Sequence, residues 1–332
     1  MKYYKWFNCI QVLNMKKKLK ILLTRHLHDF ALIELRKRYE ITIHSGKIPM
    51  PKKTIMKEIE NKDGLICFPY DIIDKDILDS ANKLKTISTY SVGFDHIDIE
   101  YAKTKKITIG YTPDVLTNAT AELTIGLIFD LLRRITEGDH IIRKGKWKEI
   151  FGPFDYVGTE ISGKTLGILG MGRIGKTVAE KASCLGMDVL YHNRKPLPKM
   201  RKAKYVSINE LFKKSDVISV HVPYSKNTHH MINSKLLKKM KKTSFLINTS
   251  RGKVVNQKDL LKILQTKKIQ GAALDVFEDE PIGKSNDLIK FNNVVLVPHI
   301  GSSTSETRHM MADITMKNLI LGLRKKKLIY SV

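Results

Sequence analysis

Cysteine is scarce. The 332-residue chain holds three, Cys9, Cys67 and Cys184. They are scattered and odd in number, with no Cys-x-x-Cys pair, which excludes a disulfide framework and offers no zinc site or other metal centre. Long apolar runs are missing too. A membrane span needs ~20 consecutive apolar residues, and the longest candidate, residues 123–132, is interrupted by Asp130. Residues 1–14 are mixed aromatic and polar and lack the apolar stretch and cleavage site of a signal peptide. These absences predict a cytoplasmic protein with no membrane partner. Acidic residues are also few, 33 Asp and Glu against 59 Lys and Arg, a net charge of +26. Such an excess can mark a nucleic-acid partner. Here the lysines fall in short groups along the whole chain (Lys16 to Lys18, Lys52 and Lys53, Lys238 to Lys242, Lys325 to Lys327). With no basic arm or aromatic-interleaved stripe, the charge reads as a lysine-rich surface. No nucleic-acid partner is expected, although a positive field still attracts anionic ligands.

What is present is an ordinary globular composition, 42% hydrophobic and 28% charged, on a chain too long for one core, so two domains are expected. Short apolar, β-branched runs alternate with helical patterns. Residues 20–24, 64–68 and 85–90 read as strands and 30–38 as a helix. A second series offers strands at 165–169, 188–191, 217–222, 244–248, 271–276 and 294–297. Such alternation predicts an α/β fold of two Rossmann-like, doubly wound parallel-sheet domains. Between the series, residues 115–143 keep helical spacing without proline. That is longer than most globular helices, so the stretch either breaks in two or links the domains. After His299 the pattern turns helical again to about residue 323. That helix is expected to return to the first domain and leave it discontinuous: 18–114 with 303–332, a flavodoxin-like substrate domain, against 115–302 for a dinucleotide-binding domain. Residues 1–14 are expected to be a flexible extension.

The most informative local motif is Gly170-Met171-Gly172-Arg173-Ile174-Gly175, which lies between an apolar strand and a helix. Gly170 permits the tight turn, Gly172 lets a pyrophosphate approach the backbone, and Gly175 lets helix and strand pack closely. The helix start then offers free N–H groups and a positive dipole end to phosphate. The next strand ends at Asn193-Arg194-Lys195. A site selective for NAD would carry Asp or Glu there to hold the ribose hydroxyl. An arginine instead suits a 2′-phosphate, so NADPH is the expected cofactor, with NADH the weaker alternative.

Three further stretches follow strands: Asn248-Thr249-Ser250-Arg251-Gly252, Asp275-Val-Phe-Glu-Asp-Glu280-Pro281, and Pro298-His299-Ile300-Gly301. With the glycine motif, and with Ser91-Val92-Gly93-Phe-Asp-His and Pro113-Asp-Val-Leu-Thr117-Asn-Ala-Thr120-Ala121 upstream, the chain resembles the D-isomer-specific 2-hydroxyacid dehydrogenases from about residue 18 to its end. The 113–121 stretch is most similar to the glyoxylate/hydroxypyruvate reductases. The resemblance implies that His299 donates the proton to the carbonyl oxygen. Glu280 would orient its imidazole and favour the charged form. Arg251 would bind the substrate carboxylate and polarise the keto group, and the N–H groups of Val92 and Gly93 would hold the substrate's other end. Thr117, Thr249 and Asp275 would line the nicotinamide, with Ser250, His299, Ile300 and Gly301 beside the cofactor. It also implies a homodimer. The expected activity is reduction of glyoxylate or hydroxypyruvate to the D-2-hydroxy acid. Alternatives are an NAD-linked dehydrogenase of a bulkier hydroxy acid such as 3-phosphoglycerate, or a non-enzymatic NAD(H)-binding corepressor. His96, His221, His229 and His230 read as structural or surface residues, and Trp147 as packing.

Overall fold

The computed structural model describes residues 18–198, 200 and 202–332. The expectation about residues 1–14 therefore lies outside the described residues. The chain forms two compact units, one running to Pro113 and taking up Arg308–Val332, the other Asp114–Thr307. The expected boundaries, after residues 114 and 302, move to Pro113 and Thr307. The residue that opens the second unit, Asp114, sits in the left-handed region at φ 71°.

The first unit carries β1 (Lys20–Leu23), β2 (Glu40–Ile43), β3 (Gly64–Cys67), β4 (Thr86–Thr89) and β5 (Thr108–Gly110). They form one parallel sheet in the order β2-β1-β3-β4-β5. The central strands β3 and β4 are buried at every position, as strands covered on both faces must be. Leu22, Leu65 and Ile87 meet Ile55, Ile59 and Ile77 of the flanking helices in one core. The terminal helix Ser305–Leu323 joins this unit from Arg308 onward, and Ser88 Oγ donates to Thr315 O at 2.8 Å.

The second unit holds β6 (Thr165–Leu169), β7 (Asp188–His192), β8 (Lys204–Tyr205), β9 (Val217–Val220), β10 (Phe245–Asn248), β11 (Gly271–Leu274) and β12 (Val294–Leu296). All pair in parallel, in the order β12-β11-β10-β9-β6-β7-β8. Successive residues alternate between two cores. Ile218, Leu246 and Ala272 face Phe212, Leu237 and Leu260 on one side. Val217, Ile247 and Ala273 face Leu127, Leu131 and Val178 on the other. The strand order reverses at β6, and a ligand crevice is expected outside the carboxyl ends of the strands at such a point.

Three strands go beyond those expected from the sequence: β2, β5 and β8. All three are sheet edges. β2 and β8 bury no residue fully, so neither carries a continuous apolar run. The long helical stretch breaks in two, Thr117–Arg133 and Ile135–Arg143. The break is Arg134, left-handed at φ 56°, and Thr136 N–H donates to Asp130 Oδ1 at 2.7 Å across it. Trp147 departs from its expected packing role: it is 54% exposed, beside Phe151. No helix among the described residues is long and apolar enough to cross a membrane.

Candidate active site

The glycine motif lies at the carboxyl end of β6, where the strand order reverses. β6 delivers the chain to Gly170, at φ 101°. A Cβ there would stand 2.8 Å from the His221 carbonyl carbon just beyond β9, so the turn requires glycine on both steric and conformational grounds. Gly172 caps the twelve-residue helix Arg173–Cys184, and a Cβ on it would meet nothing within 4 Å. That open approach is the space a pyrophosphate needs in front of the helix N-terminus. A Cβ on Gly175 would fall 2.3 Å from Gly170 O, which fixes the close helix–strand contact.

The loop is held from β7. Asn193 Oδ1 accepts the Met171 N–H at 2.7 Å. Arg194 and Lys195 follow, both exposed. Arg173, inside the motif, pairs with Asp114 at 2.5 Å. These residues fit a dinucleotide: a glycine turn, an open helix start, and a cationic exit from the second strand of the unit.

A histidine–carboxylate pair stands in the loops that follow β11 and β12. His299 Nδ1 lies 2.8 Å from Glu280 Oε2. The other oxygen of Glu280 accepts the Phe277 N–H at 2.8 Å, so the carboxylate is fixed at both ends. His299 itself is left-handed at φ 53°, a conformation costing of order 1–3 kcal/mol unless neighbours enforce it. Asp275 supplies that enforcement. Its oxygens accept the N–H groups of Ile300 at 2.6 Å and Gly301 at 2.9 Å. Burial pushes the Asp275 carboxyl up to about 6, against the opposing pull of those two N–H groups and of His299.

Arg251 ends the loop after β10. Its Nη1 donates to Ser250 O at 2.9 Å, and Asn248 Nδ2 donates to Arg251 O at 3.0 Å. Thr249 Oγ1 is 3.0 Å from Thr124 Oγ1, while Thr120 Oγ1 donates to Gly301 O at 3.0 Å. The helix that begins at Thr117 thus ties the β10 loop to the segment behind His299. Thr120 enters the sequence reading only as part of a motif. Its spacing of three residues from Thr117, on one helix face, was the available signal for a site role.

All but two of the expected site residues fall in this unit. Val92 and Gly93 follow β4 in the other unit, where Ser91 Oγ donates to Gly93 O at 2.6 Å. Among the remaining histidines, His96 is buried and bonded to Thr89 at 3.0 Å. Burial holds the His221 imidazole down to about 4, so it is neutral beside the glycine turn. No cluster of three or more metal-ligating side chains occurs among the described residues.

Comparison with known proteins converges on one group. The profile of the D-isomer specific 2-hydroxyacid dehydrogenase NAD-binding domain matches residues 125–301. A glyoxylate reductase of Thermofilum pendens is 44% identical over 313 residues, spanning 92% of this chain and 91% of its own. A crystal structure of a Thermus thermophilus protein superposes with a TM-score of 0.89 at 39% identity, over 95% of this chain and 100% of that one. An NADPH-dependent glyoxylate/hydroxypyruvate reductase from Sinorhizobium meliloti, solved with NADP and malonate, gives 0.84 at 27% identity, over 95% and 97%. This chain belongs to the D-isomer specific 2-hydroxyacid dehydrogenases and is an NAD(P)-dependent oxidoreductase.

Proposed function

We propose that this dehydrogenase reduces glyoxylate or hydroxypyruvate to glycolate or D-glycerate, with NADPH as the preferred hydride source and NADH a weaker one. The observation that carries the reading is the Glu280–His299 pair, 2.8 Å apart, on the unit that carries the dinucleotide motif. Reduction of a keto carbon builds negative charge on oxygen, so it needs a cation and a proton donor nearby. Glu280 engages Nδ1, and the proton passes to the carbonyl oxygen from Nε2. Arg251 binds the substrate carboxylate as a bidentate fork. Val92 and Gly93 are assigned to the substrate on the family resemblance. Gly170, Met171, Gly172, Arg173, Ile174 and Gly175 hold the pyrophosphate. Thr117, Thr249, Ser250, Asp275, Ile300 and Gly301 bound the nicotinamide side. When bound, the reduced nicotinamide supplies the hydride.

NADPH is favoured by Arg194 and Lys195 beyond β7, where no carboxylate stands to repel a 2′-phosphate. A cytoplasmic homodimer completes the reading. Its support is a run of exposed apolar side chains in the second unit, with Ile150 and Phe154 each 92% exposed and Ile142 61%. Patches of that kind mark contact surfaces. The deciding experiment is an initial-rate panel of glyoxylate, hydroxypyruvate, pyruvate and 3-phosphohydroxypyruvate with each cofactor. Turnover of glyoxylate or hydroxypyruvate with NADPH is expected to dominate. Absence of turnover with any keto acid refutes the assignment.

A further inference from the structure

Three neighbouring strands, β9, β10 and β11, send loops to the same edge of the sheet. The second loop presents Arg251 and the third presents Glu280. A carboxylate assigned no role so far, Glu278, binds across all three. Its Oε1 accepts the N–H of Gln257, the first residue of the helix Gln257–Gln265, at 2.8 Å. The same oxygen is 2.8 Å from His230 Nε2, in the loop after β9. The other ring nitrogen of His230 is 3.3 Å from Asn256 Nδ2, an amide group that only donates. His230 therefore carries its hydrogen on Nε2 and donates it to Glu278.

The backbone repeats the lacing. His230 N–H donates to Lys253 O at 2.8 Å, and Asn256 N–H to Ile232 O at 2.8 Å. Gly252, directly after Arg251, runs so close to the third loop that a Cβ on it would lie 1.9 Å from the Phe277 carbonyl carbon. The Phe277 N–H is the same group that fixes Glu280. A displacement at Glu278 is therefore felt at the supports of both Arg251 and Glu280.

We propose that Glu278 is a positioning residue for the reduction: by joining His230 and the Gln257 N–H, it fixes the Arg251 loop against the loop that presents Glu280. The inference rests on the roles proposed for Arg251 and Glu280. A carboxylate suits the position because it accepts from two donors at once and sits at the positive end of a helix dipole.

The test compares Glu278→Ala, Glu278→Gln and His230→Ala with the wild-type enzyme. An ångström-scale displacement of a reacting group costs about ten- to a hundred-fold in rate. Glu278→Ala is expected to lose that much in kcat/KM, with a raised KM for the keto acid and a lowered kcat. Dinucleotide affinity, read by fluorescence titration, should stay within about twofold, since the glycine loop is untouched. Glu278→Gln keeps an oxygen able to accept from both donors and should recover most of the loss. His230→Ala should move the same parameters in the same direction, and the double variant should be no worse than Glu278→Ala alone, as expected for two residues acting through one contact. Wild-type kinetics in Glu278→Ala overturn the proposal, as does a loss confined to dinucleotide affinity. Should Glu278→Ala fail to fold, wild-type kinetics in His230→Ala overturn it equally. A wild-type enzyme that reduces no 2-keto acid refutes the proposed function, and the positioning role with it. An active wild type with unaffected variants refutes the positioning role alone.

Discussion

Glu280 holds His299 through Nδ1 at 2.8 Å, and His299 meets it from a left-handed backbone at φ 53°. The ring is thereby aimed by two independent constraints, its own backbone and a carboxylate that is itself bonded to Phe277 N–H.

Removing the ring separates chemistry from binding. His299→Ala should lower kcat by ~10²–10⁴-fold, the usual worth of general acid catalysis. Dinucleotide binding should persist, because the Gly170–Gly175 turn is remote in sequence and held by Asn193. Stopped-flow turnover and a binding titration on one preparation check both halves. Near-normal turnover would end the assignment of His299.

Cofactor choice should follow the exit from β7. Charge-assisted bonds from Arg194 to a 2′-phosphate are worth roughly 1.5–3 kcal/mol, or about ten- to a hundred-fold in affinity. Asn193→Asp with Arg194→Ile should reverse the preference. The aspartate keeps an oxygen for the Met171 N–H, now made by Asn193 Oδ1 at 2.7 Å, and adds a charge that repels phosphate. Ratios of kcat/KM for NADPH and NADH measure the effect. A wild-type enzyme favouring NADH would remove the basis for this role of Arg194.

Asp275 makes a prediction about pH and stability. Burial raises its carboxyl to about 6 in the folded protein, above the ~3.9 of an unfolded chain. Between those values the folded state binds more protons than the unfolded one, so stability falls as pH rises from about 4 to about 6. Asp275→Asn cannot ionise and escapes that fall. The melting temperature of the wild type minus that of the variant should therefore shrink from pH 4 to pH 7. A constant difference would show that the folded-state titration lies elsewhere.

Gly252→Ala should destabilise by about 3 kcal/mol, at the upper end for inserting a methyl into packed structure. The reason is the 1.9 Å approach of its Cβ position to the Phe277 carbonyl carbon. Urea unfolding reads this directly, and an unchanged midpoint would mean that the loops separate freely.

Assembly is tested at the exposed apolar run. Ile150→Asp with Phe154→Asp should convert the proposed dimer to monomer in sedimentation velocity, as both side chains are 92% exposed within one chain. A wild type that is already monomeric at assay concentration contradicts the dimer itself.

The sequence alone determined the parts that rest on local chemistry. Strands buried on both faces tend to near-continuous apolar runs, so β3, β9, β10 and β11 were legible, while β4, Thr-Ile-Ser-Thr, was legible through its β-branched residues. The glycine turn was legible too, because only glycine satisfies both the close approach and φ 101° at Gly170. The edge strands β2, β5 and β8 were not, because their pairing comes from a neighbouring strand and leaves little trace in their own residues. The break at Arg134 was not located either, since no glycine or proline marks it; the Asp130–Thr136 bonds stabilise it across six residues. The tertiary structure also resolved a choice within the Glu278-Asp279-Glu280 triplet that local pattern leaves open. Glu280 turns to His299, Glu278 turns to His230 and Gln257, and Asp279 is exposed. Adjacent carboxylates share the same chemistry, and only the partners that β9, β10 and β12 bring alongside make them different.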